Sequence, residues 1–390
     1  MTNPQPPDDI AERIRRIENG LTPATGLWGQ VVESLKLTDR MDYSYKVPGV
    51  SMAVIHNYRI EWARGYGVLE AGRPDLITLE TLFQAASISK PVVAMAALRL
   101  VEEGKLDLDE DVNKFLVSWK VPGNASWQSR VTLRHLLSHT AGLTVHGFSG
   151  YPRAHELPTL FQILDGKEPA NSPAVEVSAI PGAQFRYSGG GYCVIQQLLI
   201  DVTGKPFPEI MQELVLDPLG MEHSTYEQPL PESRSGSAAT GHRWDGEPVD
   251  GQWHVYPEMA AAGLWTTPSD LARFTIELQR SKVGQSNNVL SGDMVNQMLT
   301  PQFEDSIGLG VFQFKDSIGL GLFLESKGES SYFEHSGANA GFCCKLVTFI
   351  DCGLGAIVMT SSDNGSPLIE EILQAIAREY RWPGYISDIS

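Results

Sequence analysis

The 390-residue chain has few cysteines, no excess of positive charge and no long apolar run, and each shortage excludes a class of protein. A formal net charge of −17 disfavours binding to nucleic acid or to anionic membranes, because both reward basic surfaces. The longest apolar runs, such as 91–98, fall far short of the roughly 20 residues that a membrane-spanning helix needs. We therefore expect neither a nucleic-acid partner nor a membrane partner.

The four cysteines do not form a pattern that suggests a disulfide framework. Cys343 and Cys344 are adjacent, which also does not suit a paired Cys-x-x-Cys metal site. The opening stretch MTNPQPPDDIAERIRR places prolines and charges where a secretory signal would need a continuous apolar run. These features predict reduced thiols and a cytoplasmic protein; export by processing of a longer precursor is the alternative.

Several common catalytic motifs are absent as well. No Gly-x-Ser-x-Gly occurs, which excludes the usual α/β-hydrolase route to an esterase, and no glycine-rich phosphate loop carries the required lysine. His135 and His139 have the spacing of a metal pair on a helix, but the residues between them lack the glutamate of a zinc protease. We assign both histidines to packing and expect no metal and no cofactor.

Local patterns predict two helices and a hairpin in the first part of the chain. The periodicity indicates helices at 9–20 and 88–104, with Gly104 ending the second. Segment 49–70 alternates apolar and polar residues with a turn near Asn57, which is typical of a two-stranded hairpin.

After the middle of the chain, which is mostly helical patches between Pro/Gly loops, strand-like character returns. The strand-like segments are 307–325, 331–335 and 341–360. A short repeat, DSIGLG at 305–310 and 316–321, indicates two neighbouring strands of a hairpin. The chain then closes with a helix, for which Ser366 is the expected cap and Pro367 lies in the first turn.

Strand-rich ends around a helical middle predict an α+β fold. We expect a discontinuous sheet domain from 1–90 and 290–390 and a mostly helical inserted domain from 91–289. The active site would lie in the cleft between them.

The stretch FQAASISKP, residues 83–91, holds two serines and a lysine where a strand-like run turns into a helix-like one. A lysine three residues after a serine lies on the same helix face, so Ser87 and Lys90 would meet while Ser89 points elsewhere. An alcohol is a poor nucleophile at neutral pH without a base or a cation beside it. We therefore predict that Ser87 attacks and that Lys90 tunes it. The alternative is a capping serine followed by a surface lysine.

Ordered blocks over roughly residues 45–385 support the first interpretation. They are FQAASISKPVVAMAALRLVEEGKLDLDEDV (83–112), VTLRHLLSHTAGL (131–143), PGAQFRYSGGGYCVIQQLLIDVTG (181–204), AAGLWTTPSDLARF (261–274) and HSGANAGF (335–342). With these blocks the chain resembles the serine β-lactamase-like hydrolases, in particular class C β-lactamases, DD-peptidases and family VIII carboxylesterases. The resemblance implies a β-lactamase/transpeptidase-like fold, with an antiparallel sheet flanked by helices, and a nucleophile at Ser87.

In that family a tyrosine, usually in a Tyr-x-Asn triplet, joins the nucleophile, and Tyr187 stands at the matching position. The resemblance implies that Tyr187, next to the cation of Lys90, shuttles the proton between Ser87, substrate and leaving group. Gly189 replaces the asparagine, which in the family orients the lysine and binds the amide carbonyl of the substrate. Because Gly189–Gly191 also leave space where that side chain would sit, we favour an ester or an atypical amide as substrate.

The family's Lys-Thr-Gly triplet, on an edge strand facing the nucleophile, is matched here by His335-Ser336-Gly337. Histidine is only partly protonated near pH 7, so carboxylate-bearing antibiotics lose an anchor. Gly337 would let substrate lie against the strand, and the N–H of Ala338 would complete an oxyanion hole with that of Ser87. The alternative for His335 is an ordinary polar strand residue.

Two further patterns carry less information. Ser362-Asp363-Asn364 spells a class A β-lactamase motif but follows the third triplet instead of preceding it, so a polar turn is the better interpretation. Six aromatic residues either line an acyl pocket or belong to the core: Phe148, Tyr151, Trp253, Tyr256, Trp265 and Phe342.

The residues and the resemblance together predict a serine hydrolase that forms an acyl-enzyme with a small-molecule ester, amide or lactam, with esters favoured. The alternatives are a β-lactamase or D-amino-acid peptidase, an acyltransferase that replaces water with an alcohol, and a non-catalytic binding relative. The physiological substrate and the oligomeric state stay open.

Overall fold

A computed structural model describes residues 9–22, 35–124, 130–303, 317–327 and 330–386. The strands are β1 (Gly49–His56), β2 (Arg59–Gly67), β3 (Phe83–Gln84), β4 (Tyr151–Pro152), β5 (His254–Val255), β6 (Trp265–Thr266), β7 (Ser317–Ile318), β8 (Phe323–Lys327), β9 (Ser330–Asn339), β10 (Phe342–Phe349) and β11 (Gly355–Thr360). The α-helices are α1 (Ile10–Glu18), α2 (Leu37–Asp39), α3 (Ser89–Glu102), α4 (Leu133–Leu137), α5 (Leu160–Asp165), α6 (Gly189–Thr203), α7 (Phe207–Met211), α8 (Glu232–Ser235), α9 (Met259–Ala262), α10 (Pro268–Lys282), α11 (Gly292–Met298) and α12 (Gly365–Tyr380). Tighter 3₁₀ turns lie at Ala86–Ile88 and Val112–Lys114, and π-helical turns at Arg40–Tyr45 and Gln212–Leu216.

Strands from both ends of the described chain form one antiparallel sheet in the order β2-β1-β11-β10-β9-β8-β7. The two ends are joined where β1 pairs with β11, from Val50 opposite Thr360 to Ile55 opposite Gly355. Helices flank this sheet, so the predicted α+β fold with an antiparallel sheet is confirmed.

Both faces of the sheet are covered, which the alternation along β1 shows. Val50, Met52 and Val54 belong to an apolar cluster with residues of α1 and α12. Ala53 and Ile55 face the other way, into a cluster that continues through α3, α6 and α10. The sheet and the helical part therefore share one core. The boundaries of the two predicted domains stay a prediction.

The first predicted elements have the expected type and place. The β1–β2 hairpin turns at Asn57 and Tyr58, whose φ angles of 53° and 59° lie in the left-handed region that tight hairpin turns use. The amphipathic helix near the start is α1, and α3 ends just before Gly104, whose φ is 70°.

The last helix begins earlier than the sequence indicated. Asn364 precedes α12, and its side chain donates to the carbonyl of Trp244 at 3.0 Å instead of capping the helix. Ser366 is therefore not the cap, whereas Pro367 does lie in the first turn. The polar turn predicted at Ser362–Asn364 is confirmed: it precedes α12, and Oδ1 of Asp363 accepts the N–H of Gly341 at 2.7 Å.

The repeat and its predicted hairpin fall partly outside the described residues. The first copy, 305–310, lies outside, as does 307–316 of the first predicted strand. The second copy contributes Ser317 and Ile318 to β7, which pairs antiparallel with β8.

The cysteines are free thiols, as expected, with Cys193, Cys343 and Cys344 buried and Cys352 exposed. No helix within the described ranges combines the length and the apolar character needed to cross a bilayer.

Candidate active site

Ser87 lies in the 3₁₀ turn Ala86–Ile88 that leads into α3, and it is partly exposed. The preceding Ala86 has a φ of 47°, a left-handed conformation that alanine rarely adopts and that often marks functional turns. Ser89 is fully buried; its hydroxyl donates to the carbonyl of Ala86 at 2.6 Å and accepts the N–H of Leu264 at 3.0 Å. Ser89 therefore holds the turn, while Ser87 is free to react.

Lys90 meets Ser87 as the spacing predicted. Its Nζ donates to Oγ of Ser87 at 3.0 Å and to the carbonyl of Ala261, in α9, at 2.7 Å. Lys90 is 2% exposed, so these two bonds fix the amine behind the Ser87 hydroxyl instead of leaving it in solvent.

Two tyrosine rings lie beside this amine. Nζ of Lys90 is 5.1 Å from the ring centroid of Tyr187 and 5.7 Å from that of Tyr192. Tyr192 is completely buried and donates to the carbonyl of Leu137, and burial raises its pKa well above the ordinary value. Tyr187, just before α6, is partly exposed. Of the two phenols, Tyr187 is thus the one that a substrate can reach.

Aromatic rings surround Tyr187. The ring of His139 stacks on it with centroids 4.2 Å apart, and the ring of Phe323, in β8, lies nearly parallel to it at 6.5 Å. The ring of His146 is tilted against that of Tyr187 by 46°, with centroids 4.9 Å apart. The sequence interpretation missed His139 at this site, because helix spacing paired it with His135. The feature of the sequence that could have indicated its place at the site is its position in the Ser-His-Thr segment directly after α4.

The histidines do not form a metal centre in the described part of the chain. His135 takes part in the capping box of α4 with Thr132, which is a structural role in the helix start. Within these ranges, no group of three or more His, Cys, Asp or Glu side chains is placed to hold a metal ion.

The space expected beside Gly189 is already filled. A Cβ on Gly189 would lie 3.0 Å from Cε2 of Phe148 and 3.1 Å from the carbonyl oxygen of His146. A Cβ on Gly190 would lie 2.9 Å from Cγ2 of Val175. The expectation that these glycines leave room for a missing asparagine is therefore wrong, because loop 146–148 packs against the start of α6.

Gly337 brings β9 directly against the turn that carries Ser87. A Cβ at this position would lie 2.4 Å from the carbonyl oxygen of Ala85 and 2.9 Å from the backbone nitrogen of Ser87. The neighbouring strand supports the same contact, because Sγ of Cys344 donates to the carbonyl of Ala85 at 3.0 Å. Only glycine fits this approach. The room that the sequence analysis expected for substrate at Gly337 is a different role, and it stays a prediction. The role of the Ala338 N–H stays a prediction.

His335 shares with Gly337 the face of β9 that looks toward Ser87, and it is 3% exposed. Burial, together with the positive charge of Lys90, lowers the pKa of His335 to about 3. The side chain is therefore neutral at pH 7, which corrects the expectation of partial protonation. Ser336 and Ala338 are exposed on the opposite face, so the structure does not bring the Ser336 hydroxyl to Ser87.

Most of the candidate pocket aromatics belong to the core. Five of them are 3% exposed or less: Tyr151, Trp253, Tyr256, Trp265 and Phe342. Phe148 alone among the six is partly exposed, next to Gly189. The rings that do surround Tyr187 include His139, His146 and Phe323, none of which the sequence interpretation assigned to this site.

Known proteins resemble this chain in sequence and in fold. It is 28% identical to the unguisins hydrolase ungD of Aspergillus violaceofuscus over 263 residues, which cover 63% of this chain and 43% of that protein. It is 32% identical to the esterase EstB of Burkholderia gladioli over 219 residues, covering 53% of this chain and 54% of EstB. The chain spans about half the length of these curated relatives.

A solved structure shows the same fold. The octameric penicillin-binding protein homologue from Pyrococcus abyssi superposes with a TM-score of 0.72 at 24% identity, covering 88% of this chain and 76% of that one. The family model described as Beta-lactamase matches residues 31–379, which include every predicted site residue. The chain belongs to the Beta-lactamase family.

Proposed function

We propose that this chain is a serine hydrolase that forms an acyl-enzyme on Ser87 with small esters, in the manner of a carboxylesterase. The observation that carries the proposal is the bond of 3.0 Å from Nζ of Lys90 to Oγ of Ser87, with the ring of Tyr187 5.1 Å from the same nitrogen. A positioned amine and an accessible phenol supply what an alcohol needs to become a nucleophile.

In the first step Oγ of Ser87 attacks the ester carbonyl carbon while its proton passes to the phenolate oxygen of Tyr187, which the cation of Lys90 stabilises. The negative charge then resides on the former carbonyl oxygen, which the N–H groups of Ser87 and Ala338 bind. When this intermediate collapses, the bond from carbon to the leaving alcohol breaks. The alcohol departs with the proton held by Tyr187, and the acyl group stays on Ser87.

In the second step water replaces the alcohol. The water oxygen attacks the acyl carbon while Tyr187 accepts a proton from the water, and the bond between the acyl carbon and Oγ of Ser87 breaks. The proton returns to Oγ, and the carboxylic acid leaves. Each proton that is taken up is thus given back, and the reaction needs no further reactant.

The charges around the site support a neutral substrate over a β-lactam. A lysine in the third triplet would attract a carboxylate, but His335 is neutral at pH 7 and buried. Phe148 packs where the family's asparagine would project, so an amide carbonyl has no side-chain amide to bind. The relative from Burkholderia gladioli is named an esterase, which supports the same choice.

We further propose that the cleft between the predicted sheet domain and helical domain lies at this junction. Gly337 comes from the sheet and Tyr187 from the start of α6, and both approach the turn that carries Ser87 and Lys90.

The experiment is to replace Ser87 with alanine and to follow hydrolysis of short-chain nitrophenyl esters. We expect turnover to vanish, together with the mass adduct that a fluorophosphonate leaves on the wild-type protein. Ser233→Ala, an exposed residue of α8, is the matched control and should keep both signals. Unchanged turnover in Ser87→Ala would eliminate the mechanism, and failure of any activated ester to label Ser87 would favour a binding protein.

The same protein preparation separates the alternatives. A chromogenic cephalosporin hydrolysed faster than the esters would indicate a β-lactamase. An ester product that appears when an alcohol is added, at the expense of the free acid, would indicate an acyltransferase.

A further inference from the structure

We propose that His139 is a positioning residue, which holds the ring of Tyr187 in place beside Lys90 and takes no proton itself. This inference rests on the proposed function, in which Tyr187 carries the proton.

Three contacts attach the segment around Tyr187 to this single residue. The carbonyl of His139 accepts the N–H of Arg186 at 2.7 Å, and its Nδ1 accepts the N–H of Ser188 at 3.1 Å. Between these two bonds, the imidazole stacks on the Tyr187 ring with an interplanar angle of 28°. The backbone on both sides of Tyr187 and the ring itself are therefore held together.

The imidazole is itself well fixed. His139 has a φ of 56°, in the left-handed region, where histidine is one of the residues found more often than most. The side chain is 2% exposed and also packs against the rings of Tyr192 at 5.3 Å and Phe185 at 6.1 Å. A rigid support of this kind limits how far the Tyr187 ring can tilt.

The ring of His139 is neutral. Because Nδ1 accepts a hydrogen bond, the single proton of the neutral imidazole sits on Nε2. Burial lowers the pKa of His139 well below its ordinary value, and the charge of Lys90 acts in the same direction. His139 thus supplies shape and a hydrogen-bond acceptor, while the positive charge beside Tyr187 comes from Lys90.

Precise placement matters because in each half of the reaction Tyr187 must exchange a proton both with Ser87 and with a second partner, the leaving alcohol in the first half and water in the second. A displacement of about 1 Å in a catalytic group costs on the order of 100-fold in rate. The effect of losing His139 should therefore appear in kcat, not in substrate binding.

Two variants divide the contribution of this side chain. His139→Asn keeps an acceptor for the N–H of Ser188 but removes the ring, and His139→Phe keeps a ring but removes the acceptor. We expect kcat for a nitrophenyl ester to fall by about 10- to 100-fold in each, with KM changed by less than about twofold. His242→Asn is the control, since His242 is equally buried and its Nε2 accepts the N–H of Ala71 away from Tyr187. It should lose thermal stability but keep kcat.

The pH profile and a spectroscopic signal distinguish positioning from proton transfer. We expect both variants to keep the wild-type pH dependence of kcat/KM. The ¹⁹F signal of fluorotyrosine at position 187 should lose the ring-current contribution of residue 139 in His139→Asn only, while Phe323 and His146 keep theirs. Loss of one limb of the profile would mean that His139 transfers a proton, and wild-type kcat in both folded variants would also overturn the proposal. If wild-type protein shows the ¹⁹F shift but neither turns over esters nor takes up fluorophosphonate, the proposed function fails while the stacking contact stands.

Discussion

Replacing Glu258 with glutamine should stabilise this protein at neutral and alkaline pH. Glu258 precedes α9, the helix whose Ala261 carbonyl holds Lys90. Its side chain is 0% exposed. The Tyr151 hydroxyl and the backbone of Glu258 lie close enough to oppose the effect of burial, but in the described part of the chain neither carboxyl oxygen makes a hydrogen bond of good geometry. Burying a charge without such partners is costly, so the carboxyl group favours its protonated form.

The size of the effect follows from the pKa. Burial raises the pKa of Glu258 from 4.5 to about 7. Between these two values the folded protein keeps a proton that the unfolded chain has lost, so the free energy of unfolding falls as pH rises. At 1.36 kcal/mol per pKa unit, the loss amounts to about 3 kcal/mol once pH passes about 7, and it is absent below about pH 4.5. Glutamine has nearly the same shape and no charge at any pH.

Urea unfolding of wild-type protein and Glu258→Gln at pH 5 and at pH 8 measures this directly. We expect the stability difference in favour of the variant to grow by up to about 3 kcal/mol from the lower to the higher pH. Glu277→Gln is the matched control, because Glu277 is also buried but accepts bonds from Ser281, Ser286 and Asn288. That variant should be less stable at both values. A Glu258→Gln variant with the same advantage at both pH values, or with none, would refute the reasoning.

Three further substitutions test the site. Gly337→Ala would place a Cβ 2.4 Å from the carbonyl oxygen of Ala85, so we expect ester turnover to fall by at least about 100-fold; a wild-type rate would contradict the close approach. Gly189→Asn should lower the free energy of unfolding in urea by about 1–3 kcal/mol, because the new side chain meets Phe148. Adding Phe148→Ala should recover part of this loss, and an equal loss in the double variant would argue against the contact. His335→Gln should leave the pH dependence of kcat/KM between about pH 5 and 8 unshifted, since the pKa of His335 is about 3; a lost limb would show that His335 titrates there.

The features predicted well from sequence are those that depend on neighbouring residues. The β1–β2 hairpin follows from alternation and a short turn, and the Ser87–Lys90 contact follows from the three-residue spacing at the start of α3. Tyr187 is different, because no periodicity relates it to Ser87. Its assignment came from resemblance, and the structure places its ring beside the same amine.

The features that sequence did not predict depend on what covers a residue in three dimensions. Three glycines in a row indicate absent side chains, but only the fold shows that Phe148 and Val175 occupy the space. A histidine has an ordinary pKa near neutrality, and only its burial next to Lys90 makes His335 neutral. The stacking of His139 on Tyr187 likewise needs the turn after α4 to meet the segment before α6.

The arrangement of charge around Ser87 bears on the proposed preference for an ester over a β-lactam. Lys90 carries the positive charge, and its nitrogen already donates to Ser87 and to the carbonyl of Ala261. The same charge helps to keep His139 and His335 neutral, because a protonated histidine in this buried region would be repelled by Lys90. A substrate carboxylate would therefore have to draw Lys90 away from the Ser87 hydroxyl. A neutral acyl group binds without that conflict, and it is the substrate class that these charges favour.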